Sequence, residues 1–298
     1  MHLRKLQSKK WIVLVACIAA ASSAQAQDMG KLLATGGVSQ VEGAGGGGLT
    51  PWALITSYGS TDSYGANAHA TRVRTTDYAL SSYGVAVGIR DRVELSFATQ
   101  DFTGDKAPLD QLRIKQDIVG VKVRVYGDAV YDQALAMPQI AVGLQYKRNK
   151  GIAGLEGLGV TNVTQLGAVK DSGTDLYVSA TKLYLAQSLL VNGTLRYTKA
   201  NQMGLLGFGG DKKDRYQPML EASLAYLVTR KLVVGAEYRM KPNNLGVDNN
   251  EGDYKDAFVA YFPNRHLSLT AAYVDLGDIT IFNPKKQRGW YLSAQVGF

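Results

Sequence analysis

Apolar and polar residues alternate with a period of two along most of the chain after residue 48. The segment RVELSFATQDF (92–102) puts Val93, Leu95 and Phe97 on one side and charged or small polar residues on the other. Such alternation places successive side chains on opposite faces of a β-strand. After residue 26 there is no sustained helical periodicity and no apolar run long enough for a transmembrane helix. The sequence therefore predicts an all-β fold.

The alternating pattern predicts twelve strands, each of about ten residues. The predicted ranges are 49–59, 77–89, 92–102, 117–125, 139–147, 174–185, 188–198, 215–228, 231–240, 253–262, 266–274 and 289–298. Tight turns are predicted at Arg90-Asp91, Ala186-Gln187, Thr229-Arg230 and Asn264-Arg265, with a somewhat longer connection near 126–136. Long loops are predicted at 60–76, 103–111, 148–172, 199–214, 241–252 and 275–288.

The connections thus fall into two length classes that alternate along the chain. Short turns at one end, long loops at the other and an even strand number are typical of bacterial outer-membrane barrels. Aromatic residues near the strand ends, such as Tyr146, Tyr197 and Trp290, fit the membrane–water interfaces. We therefore predict a transmembrane antiparallel β-barrel of about 12 strands, with short periplasmic turns and long extracellular loops. A soluble β-sandwich is the alternative, but its strands are usually only about 5–6 residues long.

The first 26 residues predict a secretory signal peptide. Residues 1–10 carry four basic residues and no acid, an apolar run follows at 11–21, and Ala24-Gln25-Ala26 forms a small-residue cleavage site. A second interpretation is a lipoprotein signal that leaves a lipid on Cys17. The cleavage site at 24–26 lies at the better distance from the basic end, so plain cleavage is favoured. Export then leads to the outer membrane of a Gram-negative bacterium.

Removal of this peptide changes the charge and the cysteine content. Residues 1–26 carry four of the 33 basic residues and no acid, so cleavage lowers the formal net charge from +8 to +4. A nucleic-acid partner is therefore not expected. Cys17 is the single cysteine, so the mature chain can form no internal disulfide.

The last predicted strand, GWYLSAQVGF (289–298), ends on an aromatic residue. It resembles the C-terminal signal that the outer-membrane assembly machinery reads, with Phe298 at the end and Trp290, Leu292 and Val296 on the apolar face. This strand is predicted to pair with the first one, near Trp52 to Tyr58. The resemblance implies the assembly machinery as a partner, besides outer-membrane lipid and lipopolysaccharide.

The stretch GKLLATGGVSQVEGAGGGGLTPWALI (30–55) resembles the start of a family of proteobacterial outer-membrane proteins catalogued only as a domain of unknown function. The resemblance implies a location and a fold but no activity. A looser similarity, in size and architecture only, is to barrels encoded with aromatic-degradation pathways. Those barrels are thought to admit apolar substrates.

The polar faces of the strands predict the lumen lining. Strand parity places eight charged side chains inside: Glu94, Lys122, Arg124, Lys147, Arg196, Glu221, Glu237 and Arg239. Five basic and three acidic groups could line a mildly anion-favouring pore. Alternatively, they form a salt-bridge network that fills the barrel, because twelve strands enclose little free space.

Three functions follow as hypotheses. The first is a passive channel for small solutes of unknown identity, in a porin-like barrel. The second is a structural or interaction barrel with a closed lumen. The third is uptake of small hydrophobic molecules. The charged lumen face favours the channel, and so does the separation of short turns and long loops at opposite ends of the barrel.

The Gly-rich segment 27–48 precedes the predicted barrel domain, 49–298. It is predicted either to fold into the lumen as a plug, with Gly45–Gly48 as a hinge, or to form a periplasmic tail or an extra edge element. Two loops, 151–169 and 201–210, are unusually apolar and are predicted to cap the barrel, to gather an apolar substrate or to pack on one another.

No enzyme motif is visible in the sequence. His69 is predicted in the first extracellular loop and His266 at a periplasmic turn, so the two are expected at opposite ends. A Ser-His pair, a metal-ligand spacing and a carboxylate dyad are all lacking. We therefore expect neither catalysis nor a cofactor.

Overall fold

A computed structural model describes residues 31–107, 109–134, 136–246, 251–279 and 285–298. The predicted signal peptide over 1–26 and the alternative lipidation of Cys17 lie outside the described residues. So does the start of the Gly-rich segment, 27–30.

Twelve strands form one closed antiparallel barrel. In chain order they are β1 (Tyr64–Arg74), β2 (Tyr78–Ile89), β3 (Val93–Gly104), β4 (Arg113–Tyr126), β5 (Gln139–Ala153), β6 (Ser172–Tyr184), β7 (Leu189–Thr198), β8 (Gln217–Thr229), β9 (Leu232–Arg239), β10 (Tyr254–Asn264), β11 (Leu267–Asp275) and β12 (Arg288–Gly297).

Each strand pairs with its neighbours in sequence, and β12 closes the barrel on β1. The closing register runs from Trp290 opposite Arg74 to Gly297 opposite Asn67. Closure leaves no open edge, so the last strand is not a template for aggregation. The predicted twelve-stranded antiparallel barrel is confirmed.

The first predicted strand is wrong. Residues 49–59 form no barrel strand; β1 begins at Tyr64, inside the stretch predicted as a long loop. The barrel therefore starts at residue 64 rather than 49, and β12 pairs with 67–74 rather than with Trp52 to Tyr58. His69 consequently lies on β1 and faces inward, not in an extracellular loop.

The error has a physical reason. Trp52 and Leu54 alternate as in a lipid-facing strand, but Ala53 and Ile55 between them are equally buried, because the segment is enclosed on all sides. In β1 the outward positions are alanines such as Ala66, Ala68 and Ala70, whose small side chains give a weak apolar signal. Its inward positions are mainly polar or glycine, so the sequence pattern predicts a loop rather than a strand.

The outer face of the barrel is apolar. Large aliphatic and aromatic side chains point outward and are exposed on successive strands, among them Val87, Leu95, Val121, Leu144, Val178, Leu195, Leu224, Val259, Leu269 and Leu292. Near the strand ends are exposed aromatics that include Tyr64, Tyr126, Tyr146, Tyr197, Tyr226, Tyr273 and Trp290. An apolar band flanked by aromatic girdles is the surface of a barrel that spans a bilayer.

The connections separate by length, with two exceptions. Turns at 90–92, 185–188, 230–231 and 265–266 lie at the end that also holds both barrel termini, with the longer connection at 127–138. The opposite end carries the long loops 154–171, 199–216, 240–253 and 276–287, the shorter loop 105–112 and the tight turn 75–77. Among the described residues, no helix combines the length and apolar character needed to cross a membrane.

Replacing Leu144 by arginine should destabilise the barrel. Leu144 points outward from β5, so the new guanidinium would lie in hydrocarbon, at a cost of about 2–4 kcal/mol. Urea unfolding in phospholipid vesicles measures this loss. Tyr64→Arg, at the interface end of β1, is the matched control and should cost about 1 kcal/mol or less. Equal losses in the two variants would contradict a lipid-facing Leu144.

Candidate functional site

The interior of the barrel holds residues 31–59, which we call the lumen segment. Its backbone and side chains bond to inward-facing residues from strands around the barrel. Ser39 reaches Gln295 on β12, the carbonyl of Val41 accepts from Ser82 and Gln100 on β2 and β3, and Ala53 N donates to Thr181 on β6. The lumen segment therefore lies inside the barrel and is bonded to strands on several sides of the wall.

The lumen segment folds on itself before it contacts the wall. Val38–Ser39 and Gly45–Gly46 form a two-residue antiparallel ladder, and Gly46 also bridges Pro51 within the same segment. No barrel strand forms a ladder with either of these short strands. The segment is thus held by side-chain hydrogen bonds, ion pairs and packing.

The run Gly45–Gly48 lies in the middle of the lumen segment and is packed tightly. A Cβ on Gly47 would lie 2.1 Å from Glu237 Oε1, and one on Gly46 would lie 2.3 Å from the carbonyl oxygen of Thr50. A side chain at Gly46 would clash with the backbone of the segment itself, and one at Gly47 would clash with the carboxylate of Glu237. The glycines are required for this close approach.

The lumen is layered, and its layer at the short-turn end is apolar. Trp52 and Leu54 of the lumen segment pack there against Leu190, Val233 and Phe262 of the wall. The cavity left among these side chains is only about 20 Å³. Typical ligand pockets are about 300–1,000 Å³, so this layer holds no ligand.

The middle layer is polar and charged. Glu94 of β3 and Lys122 of β4 form an ion pair of 3.0 Å, and both side chains are almost fully buried. Glu94 also accepts hydrogen bonds from Gly45 N and Thr56 N, while Lys122 donates to the carbonyl of Gly45. This pair therefore binds the lumen segment as well as the wall.

A second charged group, which we call the Glu42 cluster, also lies in the middle layer. Glu42 of the lumen segment pairs with Lys147 on β5, with Arg239 on β9 at 2.6 Å and, more distantly, with Arg196 on β7 at 3.8 Å. Two wall carboxylates complete the cluster, Asp175 on β6 and Glu221 on β8. Each of these six side chains is at most 4% exposed.

The layer at the long-loop end is again apolar. The loop 199–216 turns inward, so Leu205 and Leu206 are buried with Phe102, Ile114 and Ile152. The cavity beside them is about 50 Å³. This inward loop caps the barrel.

Lys241, in the loop 240–253, links this loop to the loop 276–287 beside the cap. Its Nζ donates to the carbonyls of Leu276 and Asp278, at 3.2 and 2.7 Å, and lies 3.6 Å from Glu251. Burial lowers the pKa of Lys241 to about 8, although the nearby carboxylate of Glu251 opposes that shift. At neutral pH the ammonium therefore remains charged and bound to the cap.

The eight residues predicted to line the lumen all lie at inward-facing positions. Seven are buried, and the exception is Arg124, which lies at the short-turn end and pairs with Asp91 and Asp128. Lys147, Arg196, Glu221 and Arg239 come together in the Glu42 cluster; Glu94 pairs with Lys122; and Glu237 accepts bonds from Leu49 N and Thr50 Oγ1.

Sequence reasoning missed seven of the buried charges among the described residues, and Lys182, Lys241 and Glu251 are three of them. Glu42 and Lys31 belong to the lumen segment, and Asp175 and Asp256 lie on β6 and β10. Strand parity could have found Asp175, because it precedes Tyr177 and Ser179 on the inward face of β6. Nothing in the local pattern around Glu42 signals three cationic partners from distant strands.

His69 has little catalytic machinery around it. Its Nε2 lies 3.5 Å from Ser82 Oγ, but that hydroxyl donates to the carbonyl of Val41 at 2.7 Å. His69 Nδ1 has no hydrogen-bond partner among the described residues. No group of three or more potential metal ligands occurs in the described part of the chain. His266 is on an exposed turn at the short-turn end.

Solved structures of outer-membrane barrels are similar to this fold. The NanC porin structure matches with a TM-score of 0.51 and 9% identity, over 78% of this chain and 98% of that chain. A KdgM porin matches with a TM-score of 0.48 and 7% identity, over 78% and 99%. Outer membrane phospholipase A from Escherichia coli matches with a TM-score of 0.44 and 10% identity, over 81% and 93%. At such identities the similarity concerns the fold alone.

Fold and lumen together define the class: a twelve-stranded β-barrel of the outer-membrane type, with an N-terminal segment folded inside it. The chain belongs to the family described as "Protein of unknown function (DUF3034)", whose model matches residues 35–295. That match covers the barrel and most of the lumen segment. The predicted membership of an outer-membrane barrel family of unknown function is confirmed. No curated protein matches the sequence.

Proposed function

We propose that the protein is an outer-membrane channel for small polar solutes, and that the lumen segment is its movable closure. One observation carries the proposal: the segment shares no strand ladder with the barrel. All twelve barrel strands pair among themselves, whereas the ladder within residues 31–59 is separate. The segment can leave the lumen without breaking any strand pairing of the wall.

The chemistry of the wall supports passage of polar rather than apolar solutes. Once the lumen segment moves, charged side chains such as Glu94, Lys122 and Arg239 would face water in the pore. Rings of charged side chains select ions and polar solutes by field strength. A path for apolar molecules would instead need a continuous apolar lining, and the middle layer interrupts one.

The surroundings of the barrel follow from its outer surface. The apolar band and aromatic girdles fit the outer membrane of a Gram-negative bacterium, with lipid and lipopolysaccharide as neighbours. Trp290, Leu292 and Val296 point outward on β12, and Phe298 follows at its end. We propose this strand as the signal for the outer-membrane assembly machinery. The role proposed for the barrel is transport, without a catalytic step.

A reversible cross-link between the lumen segment and the wall tests the proposal. Thr50 Oγ1 lies 2.5 Å from Ser223 Oγ on β8, so cysteines at these two positions would have neighbouring sulfur atoms that can form a disulfide. In planar bilayers the full chain should show conductance steps. The Thr50→Cys, Ser223→Cys double variant should be silent when oxidised and should conduct after reduction, because the bond locks the closure in place.

The two single-cysteine variants are the controls, and both should conduct with or without reductant. A conductance that is the same in the oxidised and reduced double variant would contradict a movable closure. No conductance from the folded full chain under any condition would favour the closed structural barrel instead.

A further inference from the structure

We propose that the Glu42 cluster is a binding site for a solute carboxylate, which Glu42 occupies when the lumen is closed. This inference rests on the proposed channel, because a solute reaches the site only from the lumen. The Glu42 carboxylate is supplied by the lumen segment, while all its cationic partners belong to the wall. The wall therefore contains a carboxylate site that the chain fills with its own side chain.

The charge balance of the cluster defines the ligand. The wall contributes three cations, Lys147, Arg196 and Arg239, and two carboxylates, Asp175 and Glu221. With Glu42 in place the cluster has three charges of each sign. Without it the wall is left with one positive charge in excess, facing the lumen. A single carboxylate restores the balance.

The geometry of the contacts also suits a planar carboxylate. Lys147 Nζ binds one oxygen of Glu42, and Arg239 Nη1 binds the other at 2.6 Å. Arg196 Nη2 lies 3.8 Å from Glu42 and is a buried donor without a hydrogen-bond partner among the described residues. A guanidinium edge with a free donor matches a carboxylate that can approach more closely than Glu42 does.

A polar group beside the site can recognise the rest of the solute. Gln145 Nε2 on β5 is buried and lacks a hydrogen-bond partner among the described residues. Gln145 Oε1 accepts from Arg196 Nη1 at 2.8 Å, so its amide is fixed beside the guanidinium. A donor of this kind suits hydroxyl or carbonyl oxygens. The solute class is therefore a small polar monocarboxylate, such as a sugar acid.

Removing the internal carboxylate should expose the site. We expect the full chain carrying Glu42→Gln to bind glucuronate at least tenfold more tightly than the unmodified chain, because the probe no longer competes with Glu42. Trp52 in the lumen segment and Trp290 on the lipid face are the tryptophans of the described chain. In a Trp290→Phe background, Trp52 emission in detergent micelles reports binding. Glucose and inorganic phosphate serve as the neutral and the non-carboxylate probes, and neither should produce the change.

Glu237→Gln is the matched control variant. Glu237 accepts hydrogen bonds from Leu49 N and Thr50 Oγ1, so this change also loosens the lumen segment but frees no cation. It should not gain affinity for glucuronate. Adding Arg239→Gln to Glu42→Gln should abolish the gain. If Glu42→Gln fails to fold, Glu42→Asp retracts the carboxylate while keeping its charge, and should bind glucuronate with an intermediate affinity.

Equal responses to glucuronate and glucose, or an equal gain in Glu237→Gln, would overturn the carboxylate site. Phosphate binding as tight as glucuronate binding would overturn the carboxylate class. The measurement is an equilibrium one and needs no flux. A folded chain that binds glucuronate but never conducts would therefore refute the channel and not the binding site. A chain that conducts but binds no glucuronate would refute the binding site and not the channel.

Discussion

Replacing Arg196 by methionine should lower the free energy of unfolding by about 3–5 kcal/mol. Arg196 Nε pairs with Glu221 at 2.5 Å, its Nη1 lies 3.3 Å from Asp175, and its side chain is 1% exposed. Methionine keeps much of the volume but removes the charge. The cluster would then hold three carboxylates and two cations, which leaves one buried negative charge uncompensated. The Arg196 guanidinium also lies 5.1 Å from the ring centre of Tyr177, and that contact is lost too.

The measurement is urea-induced unfolding of the barrel in detergent micelles, followed by tryptophan emission and by the heat-dependent gel mobility of folded barrels. Arg113→Met is the matched control. Arg113 makes a bidentate pair with Asp101, but half of its side chain is exposed. Such an exposed pair contributes only about 0.2–1 kcal/mol.

A second variant separates charge from shape. Arg196→Lys keeps the charge but loses the fork that reaches both Glu221 and Asp175, so it should recover part of the stability. A loss in Arg196→Met no larger than that in Arg113→Met would mean that water reaches the cluster. The closed middle layer described here would then be wrong.

The barrel could be predicted from the sequence because lipid imposes a regular pattern. Outward residues of β2 to β12 are mostly apolar, so every second position carries the signal, as in Leu95 and Phe97 of β3. Strand number, antiparallel order and the sorting of turns all followed from that pattern. β1 was not predicted because its outward positions are mainly alanine. The lumen segment was wrongly predicted to contain a strand because Trp52 and Leu54 are spaced as in one.

The arrangement inside the lumen could be predicted only in part, for a different reason. Strand parity tells which wall residues face inward, and it placed Lys147, Arg196 and Arg239 on the inner face. It carries no information about what fills the space between them. Glu42 meets Arg239 across 197 residues of sequence, and only the folded barrel brings the two together. The position of His69 was also predicted wrongly, because this residue lies on β1 and the apolar pattern of β1 is weak.

Deleting residues 31–58 should convert the closed barrel into a permanently open pore. The strand pairs of the wall, including β12 with β1, involve none of the deleted residues. The twelve-stranded wall should therefore still assemble. The charged middle layer would gain water in place of the backbone groups of Gly45 and Thr56 that now contact Glu94. The buried apolar layer around Val233 would lose Trp52 and Leu54, so the variant should also be less stable than the full chain.

Conductance in planar bilayers and glucose leakage from liposomes measure the opening. Every inserted molecule of the deletion variant should conduct without closing, and glucose should leak at least tenfold faster than through the full chain. Deletion of 156–159 is the control, because these four residues, which include Leu158, are all exposed and lie outside the lumen. That control should behave like the full chain. A folded 31–58 deletion variant that does not conduct would mean that the cap formed by the loop 199–216 closes the barrel by itself, and the lumen segment would then not be the gate.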